Sequence, residues 1–211
     1  MEAVASTRRN FSFGSTQQEF LMQGSIMDTC CEVLLHRLRG LCDNADENPE
    51  SIHDHEMVFQ IRGPTGTPLV LRARQAIDHP EMPWHLRYIG LPEMGDKTRA
   101  TMIRNCIDVD TSNNLVQFLN ELGFRLDYEF VLKGFMFRKG RMKVTVAKIC
   151  RLLQQNNPDS IEPVSQSYLV ELSVVAPTGQ EALADEMKAF SEQLKPVVQL
   201  DKFDHRRLQH M

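Results

Sequence analysis

The segment from Tyr128 to Leu152 reads YEFVLKGFMFRKGRMKVTVAKICRL, and its alternation decides the fold. Side chains of a strand point to opposite faces in turn. Phe130, Leu132 and Met136 therefore share one face, and Val131, Phe135 and Phe137 share the other, with Lys133 among them. A strand with one wet side is apolar on the other side only. Here both sides are apolar, so both require cover. RKGR at 138–141, with Gly140 inside it, reads as a tight turn, and KVTVAKICRL resumes the extended pattern. The expectation is a long antiparallel hairpin. Its Val131/Phe135/Phe137 face is covered either by a helix of the same chain or by a partner, which makes those residues candidate partner contacts.

The neighbouring segments extend the same pattern. QEFLMQGSI (18–26), HEMVFQIRG (55–63), PLVLRARQA (68–76), PWHLRYIG (83–90), RATMIRNCIDVD (99–110) and QSYLVELSVVA (166–176) read as strands, with PTGT a turn between the second and third. Three stretches carry helical spacing instead. From Asp28, a candidate cap, to Leu41 the apolar positions are Cys31, Leu34, Leu35, Leu38 and Leu41. In 113–124 they are Leu115, Phe118, Leu119 and Leu122, with Gly123 ending the run. In 178–196 they are Leu183, Met187, Phe190 and Leu194, with Pro196 closing it. Consecutive strands joined by short turns predict an α+β, β-dominated domain. Its centre is an antiparallel barrel of about eight strands with about three flanking helices. The predicted organisation is a disordered N-terminal segment at 1–17, a single barrel domain at 18–200 and a C-terminal tail at 201–211.

Bulk properties narrow the function. The 211 residues are 42% hydrophobic and 25% charged, ordinary for a folded domain, and carry a formal net charge of -4. That balance argues against a nucleic-acid coat, although a local basic patch is compatible with it. The cysteines at 30, 31, 42, 106 and 150 form no CxxC pair, which suits a reducing compartment and argues against structural zinc. No apolar run is long enough for a membrane helix. Trp84 reads as a core residue rather than a base-stacking platform.

Little catalytic chemistry is visible. GPTGTP (63–68) lacks the Lys-Ser/Thr and following helix of a phosphate loop and reads as a turn. HDHE (53–56) puts His53 and His55 on one side of a strand and Asp54 and Glu56 on the other, without further ligands at a telling distance. No GxSxG, HExxH or Cys–His arrangement is present. The strand-borne bases Arg72, Arg74, Arg87 and Lys133 either face solvent and blunt strand edges or line the barrel as an anion tunnel.

HRLRGLCDN (36–44), HEMVF (55–59), PWHLRYIG (83–90), PEMGDK (92–97), LGFRLDYEFVLKG (122–134), FRKG (137–140) and SYLVELSVVAPTGQ (167–180), taken in this order, resemble the family of subunit eighteen of the Mediator complex. That coactivator bridges transcription factors and RNA polymerase II. The likeness runs from about Gln23 to Leu200. It implies a barrel related to the triphosphate-tunnel, or CYTH, fold and a place in the Mediator head module in the nucleus. Implied partners are subunit twenty as a heterodimer, a C-terminal helix of subunit eight, and RNA polymerase II and general initiation factors through the complex. No membrane and no direct nucleic-acid contact are implied.

The enzymes of that fold carry alternate acids on the first strand that hold a divalent metal. Here Glu19 shares its face with Leu21 and Gln23, and on the last barrel strand Glu171 shares its face with Leu169 and Ser173. One acid per strand does not build a metal cage. The expectation is a non-catalytic protein without cofactor or metal, acting through protein–protein contacts. The competing reading is a metal-dependent tunnel-type phosphohydrolase acting on a polyphosphate or an RNA 5′ triphosphate.

Overall fold

The computed structural model describes residues 17–43, 49–63, 66, 68–93, 99–154 and 157–203. In chain order the elements are β1 (Gln17–Met27), a single 3-10 turn (Asp28–Cys30), α1 (Cys31–Leu41), β2 (Glu50–Arg62), β3 (Pro68–Ala76), β4 (Trp84–Pro92) and β5 (Met102–Thr111). There follow α2 (Leu115–Glu121), β6 (Arg125–Lys139), β7 (Met142–Leu152), β8 (Ile161–Pro163), β9 (Ser167–Pro177) and α3 (Ala182–Leu194). The strands pair in the order β6-β2-β3-β4-β5-β1-β9-β7-β8, every contact antiparallel. An additional β6–β7 pairing closes the ring. This is the barrel the alternation predicts, with the three-residue β8 added at the edge of β7. Closure removes most of the exposed strand edges that an open sheet of this size would present.

Cover for the outer face comes in two unequal parts. One apolar cluster joins α1 (Cys31, Leu34, Leu35, Leu38) and α3 (Leu183, Met187, Phe190, Leu194) to Phe20, Met22 and Ile26 of β1, Phe137 of β6, Val144 and Val146 of β7 and Val170, Leu172 and Val174 of β9. Each large side chain buried there contributes about 1.5–3 kcal/mol relative to exposure. The second, smaller cluster packs Leu115 and Leu119 of α2 with Phe124 onto Met57, Phe59, Ala73 and Trp84. Trp84 is buried, as expected of a core residue.

Several local expectations need correction. Asp28 makes no capping hydrogen bond; its carboxylate accepts from Lys148 Nζ at 2.6 Å instead. Phe118 and Leu122, expected on the buried face of α2, are 51% and 53% exposed. Leu115, Val116 and Leu119 pack on the cluster beneath, so the buried face is rotated toward Val116 and leaves Phe118 at its edge, while Leu122 follows the last helical residue. The chain past α3 returns to β1. Gln23 and Asp201 exchange backbone hydrogen bonds at 2.9 Å in each direction. A Cβ on Gly24 would lie 2.2 Å from Gln199 O, so only glycine admits this approach. The predicted disordered segment, apart from Gln17 at the start of β1, and the tail beyond Phe203 lie outside the described residues.

Candidate functional site

Directly paired residues of an antiparallel ladder share a face, so the register identifies the barrel's interior. Glu19 of β1 pairs with Arg104 of β5, and Asp108, four residues on, pairs with Arg87 of β4. Arg87 pairs with Arg72 of β3; Arg74, two further, pairs with Glu56 of β2. Glu56 faces Phe130 of β6, whose same-face neighbour Met136 pairs with Thr145 of β7. Thr145 pairs with Glu171 of β9, and Glu171 with Gln23 of β1, on Glu19's own face. The circuit closes on itself. The face opposite carries the residues packed under the helices, so this polar ring lines the inside.

The interior is charged and largely neutralised from within. Glu19, 4% exposed, accepts from Arg87 Nη2 at 2.9 Å through one oxygen and from Arg104 Nε at 2.6 Å through the other. Asp108 Oδ1 lies 3.1 Å from Arg87 Nε as an ion pair without a hydrogen bond. Glu56, 2% exposed, accepts from Arg74 Nε and Nη2 at 2.9 and 2.5 Å, with Asp54 3.7 Å from the same group. Gln23 donates its amide to Glu171 at 2.6 Å. Burial would lower the Arg74 and Arg87 guanidinium pKa values. Glu56 and Asp54 outweigh it for Arg74, as Glu19 and Asp108 do for Arg87, so both end above the ordinary arginine value. Burial raises the Asp54 carboxyl, with Arg74 opposing. Lys143 sits among these groups without an ion pair among the described residues. Burial first, then repulsion from Arg74 and Arg87, lowers its ammonium below the usual lysine value.

Of the expected tunnel-lining bases, Arg72, Arg74 and Arg87 lie on this inner face. Lys133 does not. It pairs with His53 and Lys148 on the outer face, alongside Val131 and Phe135. Of the expected partner contacts, Val131 and Phe137 are 0% and 6% exposed. Phe137 belongs to the cluster built on α1 and α3, so the chain itself provides the cover for that end of the hairpin. Phe135 is half-buried at the rim of that cluster. Sequence reasoning missed the interior roles of Asp54, Glu56 and Asp108, the acids that engage these bases. A partial signal was present: across the hairpin of β2 and β3 Glu56 stands opposite Arg74, and Asp54, two residues earlier on the same face, lies near the same guanidinium.

Chemically, much of the charge in this arrangement is paired within the barrel. Among the described residues no group of three or more His, Cys, Asp or Glu side chains is placed to hold a metal ion. The most deeply buried acids are clamped by arginines. A carboxylate engaged by a guanidinium is a poor metal ligand and a poor base.

A family model described as Med18 protein matches residues 18–80 and 70–210. The chain is 56% identical over 209 residues to subunit 18 of the Mediator of RNA polymerase II transcription from Danio rerio, covering 99% of this chain and 100% of that one. To the Drosophila melanogaster protein of the same name it is 48% identical over 215 residues, covering 99% and 98%. In three dimensions it superposes on a chain of the Schizosaccharomyces pombe Mediator head module with a TM-score of 0.71, at 16% identity over 88% of this chain and 98% of the other. A mimivirus capping-enzyme triphosphatase matches with a TM-score of 0.54 and 9% identity over 89% and 93%, which shows a shared fold alone. Full-length kinship and a common barrel agree, and the chain belongs to the Med18 family.

Proposed function

We propose that this chain is a non-catalytic subunit of the Mediator coactivator complex. It acts in RNA polymerase II transcription from the head module in the nucleus, through protein–protein contacts. The observation that carries this reading is its 56% identity, end to end, to a Mediator subunit 18. The barrel interior supports the non-catalytic half. Glu19, on the strand where the tunnel enzymes place metal-holding acids, is taken up by Arg87 and Arg104.

Within the head module the chain pairs with subunit twenty and receives a C-terminal helix of subunit eight. It reaches RNA polymerase II and the general initiation factors through the assembled complex. Of the hairpin residues Val131, Phe135 and Phe137, Phe135 is the one left to meet a partner, because the other two are buried within the chain. The test is affinity capture of the tagged protein from nuclear extract, with co-purifying proteins identified by mass. Recovery of head-module subunits, twenty and eight among them, is the expected result. Recovery of the chain alone overturns the reading. Tripolyphosphate hydrolysis with Mg²⁺ or Mn²⁺ is expected at background; turnover abolished by Glu171→Gln would mean an enzyme.

A further inference from the structure

The outer face of β6 is unevenly covered. Phe137 and Val131 are buried, but between them Lys133 is exposed. Lys133 stands directly opposite His53 on β2 and Lys148 on β7. Like charges facing each other across a ladder destabilise it, so a row of bases calls for counter-charge. The two outer members have theirs. His53 Nδ1 meets Asp78 Oδ1 at 2.8 Å. Lys148 Nζ donates to Asp28 Oδ2 at 2.6 Å and to Ser165 O at 2.9 Å, and lies 4.9 Å over the Tyr168 ring. Lys133, in the middle, has no ion pair among the described residues, and His53 Nε2 is buried without a hydrogen-bond partner. This row floors a groove of about 510 Å3 walled by Phe135, Ile161, Pro163 and Tyr168.

We propose that this groove is a docking site for an acidic segment of a protein partner. One aspartate or glutamate carboxylate sits on Lys133, beside His53 in the same row. Apolar residues flanking that acid lie against Phe135 and Tyr168. The proposal rests on the Mediator reading and identifies where a head-module subunit engages this chain. Charge selects a peptide over a nucleic acid. Asp78 and Asp28 stand at the two ends of the row, so a continuous phosphate backbone meets a carboxylate on either side of Lys133. A single carboxylate fits between them, and the apolar walls recognise its neighbours.

The experiment uses the full chain assembled with recombinant head-module subunits. A photo-reactive benzoylphenylalanine replaces Ser51, an exposed residue on the groove. Irradiation is expected to cross-link a partner segment containing Asp or Glu beside apolar residues. Lys133→Glu is expected to reduce that cross-link about tenfold, the ratio that corresponds to 1.4 kcal/mol, while Lys133→Arg retains it. Because Lys133 is exposed, Lys133→Arg is expected to keep the parent melting temperature and Lys133→Glu, which sets an acid between two bases, to keep or slightly raise it, which is checked alongside. A cross-link that ignores Lys133→Glu, that maps to a segment without acids, or that moves to added single-stranded RNA overturns the proposal. So does an assembled module with no cross-link, which leaves the Mediator reading standing. Failure to assemble at all removes both.

Discussion

Glu19→Gln is the sharpest test of the barrel interior. The substitution keeps shape and removes one charge. Glu19 side-chain exposure is 5%, and those of Arg87 and Arg104 are 15% and 12%, so the variant leaves one of two guanidiniums without a carboxylate in a nearly dry space. Arg87 retains Asp108 at 3.1 Å; among the described residues Arg104 has no second acid. Removing one partner of a buried pair costs about 3–5 kcal/mol. With Arg87 still held, the lower end applies, about 3 kcal/mol. For a chain of this length each kcal/mol moves the melting temperature by about 2–4 °C, so the expected loss is about 6–12 °C. Urea unfolding followed through the single tryptophan, Trp84, reads the same quantity as a lower midpoint at unchanged slope. Salt is expected to restore little of it, because buried charges are poorly screened. The double variant Glu19→Leu/Arg104→Met supplies the contrast. Removing both charges together is expected to stay within about 1 kcal/mol of the parent, since replacing a buried pair by apolar groups is often neutral or better. A Glu19→Gln variant that loses under about 1 kcal/mol would refute the picture of an interior held by mutual neutralisation.

Three further outcomes follow from the geometry. Gly134→Ala places a Cβ 2.1 Å from Val146 O and 2.6 Å from Ala147 Cα. It is expected to lose about 3 kcal/mol by forcing β6 and β7 apart, read by urea unfolding. Lys143 has its folded-state pKa below the ordinary lysine value of 10.5, so between the two values the unfolded chain binds more protons. Stability contributed through this group therefore rises with pH as it approaches 10.5, and Lys143→Met is expected to raise the neutral-pH melting temperature and flatten that limb. Phe118→Ser is expected to change stability by under about 0.5 kcal/mol, because the ring is half exposed, whereas Leu119→Ala, at 1% exposure, is expected to lose about 3 kcal/mol in the same thermal melt.

The barrel was legible because alternation is local. The apolar two-faced run of β6, the turn at Gly140 and the short links between strands are each visible within a dozen residues. What was not legible depends on register. Glu19 meets Arg104 from 85 residues away, and nothing in either stretch names the other. The Phe118 and Leu122 misplacement has a different origin. Helical spacing identifies a stripe but not the rotation at which the helix settles on its sheet: α2 turns Leu115, Val116 and Leu119 inward and leaves Phe118 at the edge, and Leu122 lies past its last residue. Lys133 is a third case: the same alternation that set Phe135 outside also set Lys133 outside, so tunnel membership conflicted with the strand's own parity.

That parity explains why the outer face of β6 is left open where it is. A helix of the chain laid across Lys133 would strip water from a lysine already opposed by Lys148 and His53. It would have to bring a carboxylate to compensate. The helices that do cover this side, α1 and α3, bury only apolar residues and Ser191. They pack at Phe137 and leave Lys133, in the middle of the row of bases, uncovered. Meanwhile the interior, which the fold would otherwise offer to an anion, has much of its positive charge engaged by Glu19, Glu56 and Asp108. Lys133 is the exposed base in the middle of the outer row, with no ion pair among the described residues. The residue that keeps this chain's helices away is therefore the one that sets the chemistry of whatever comes to cover it.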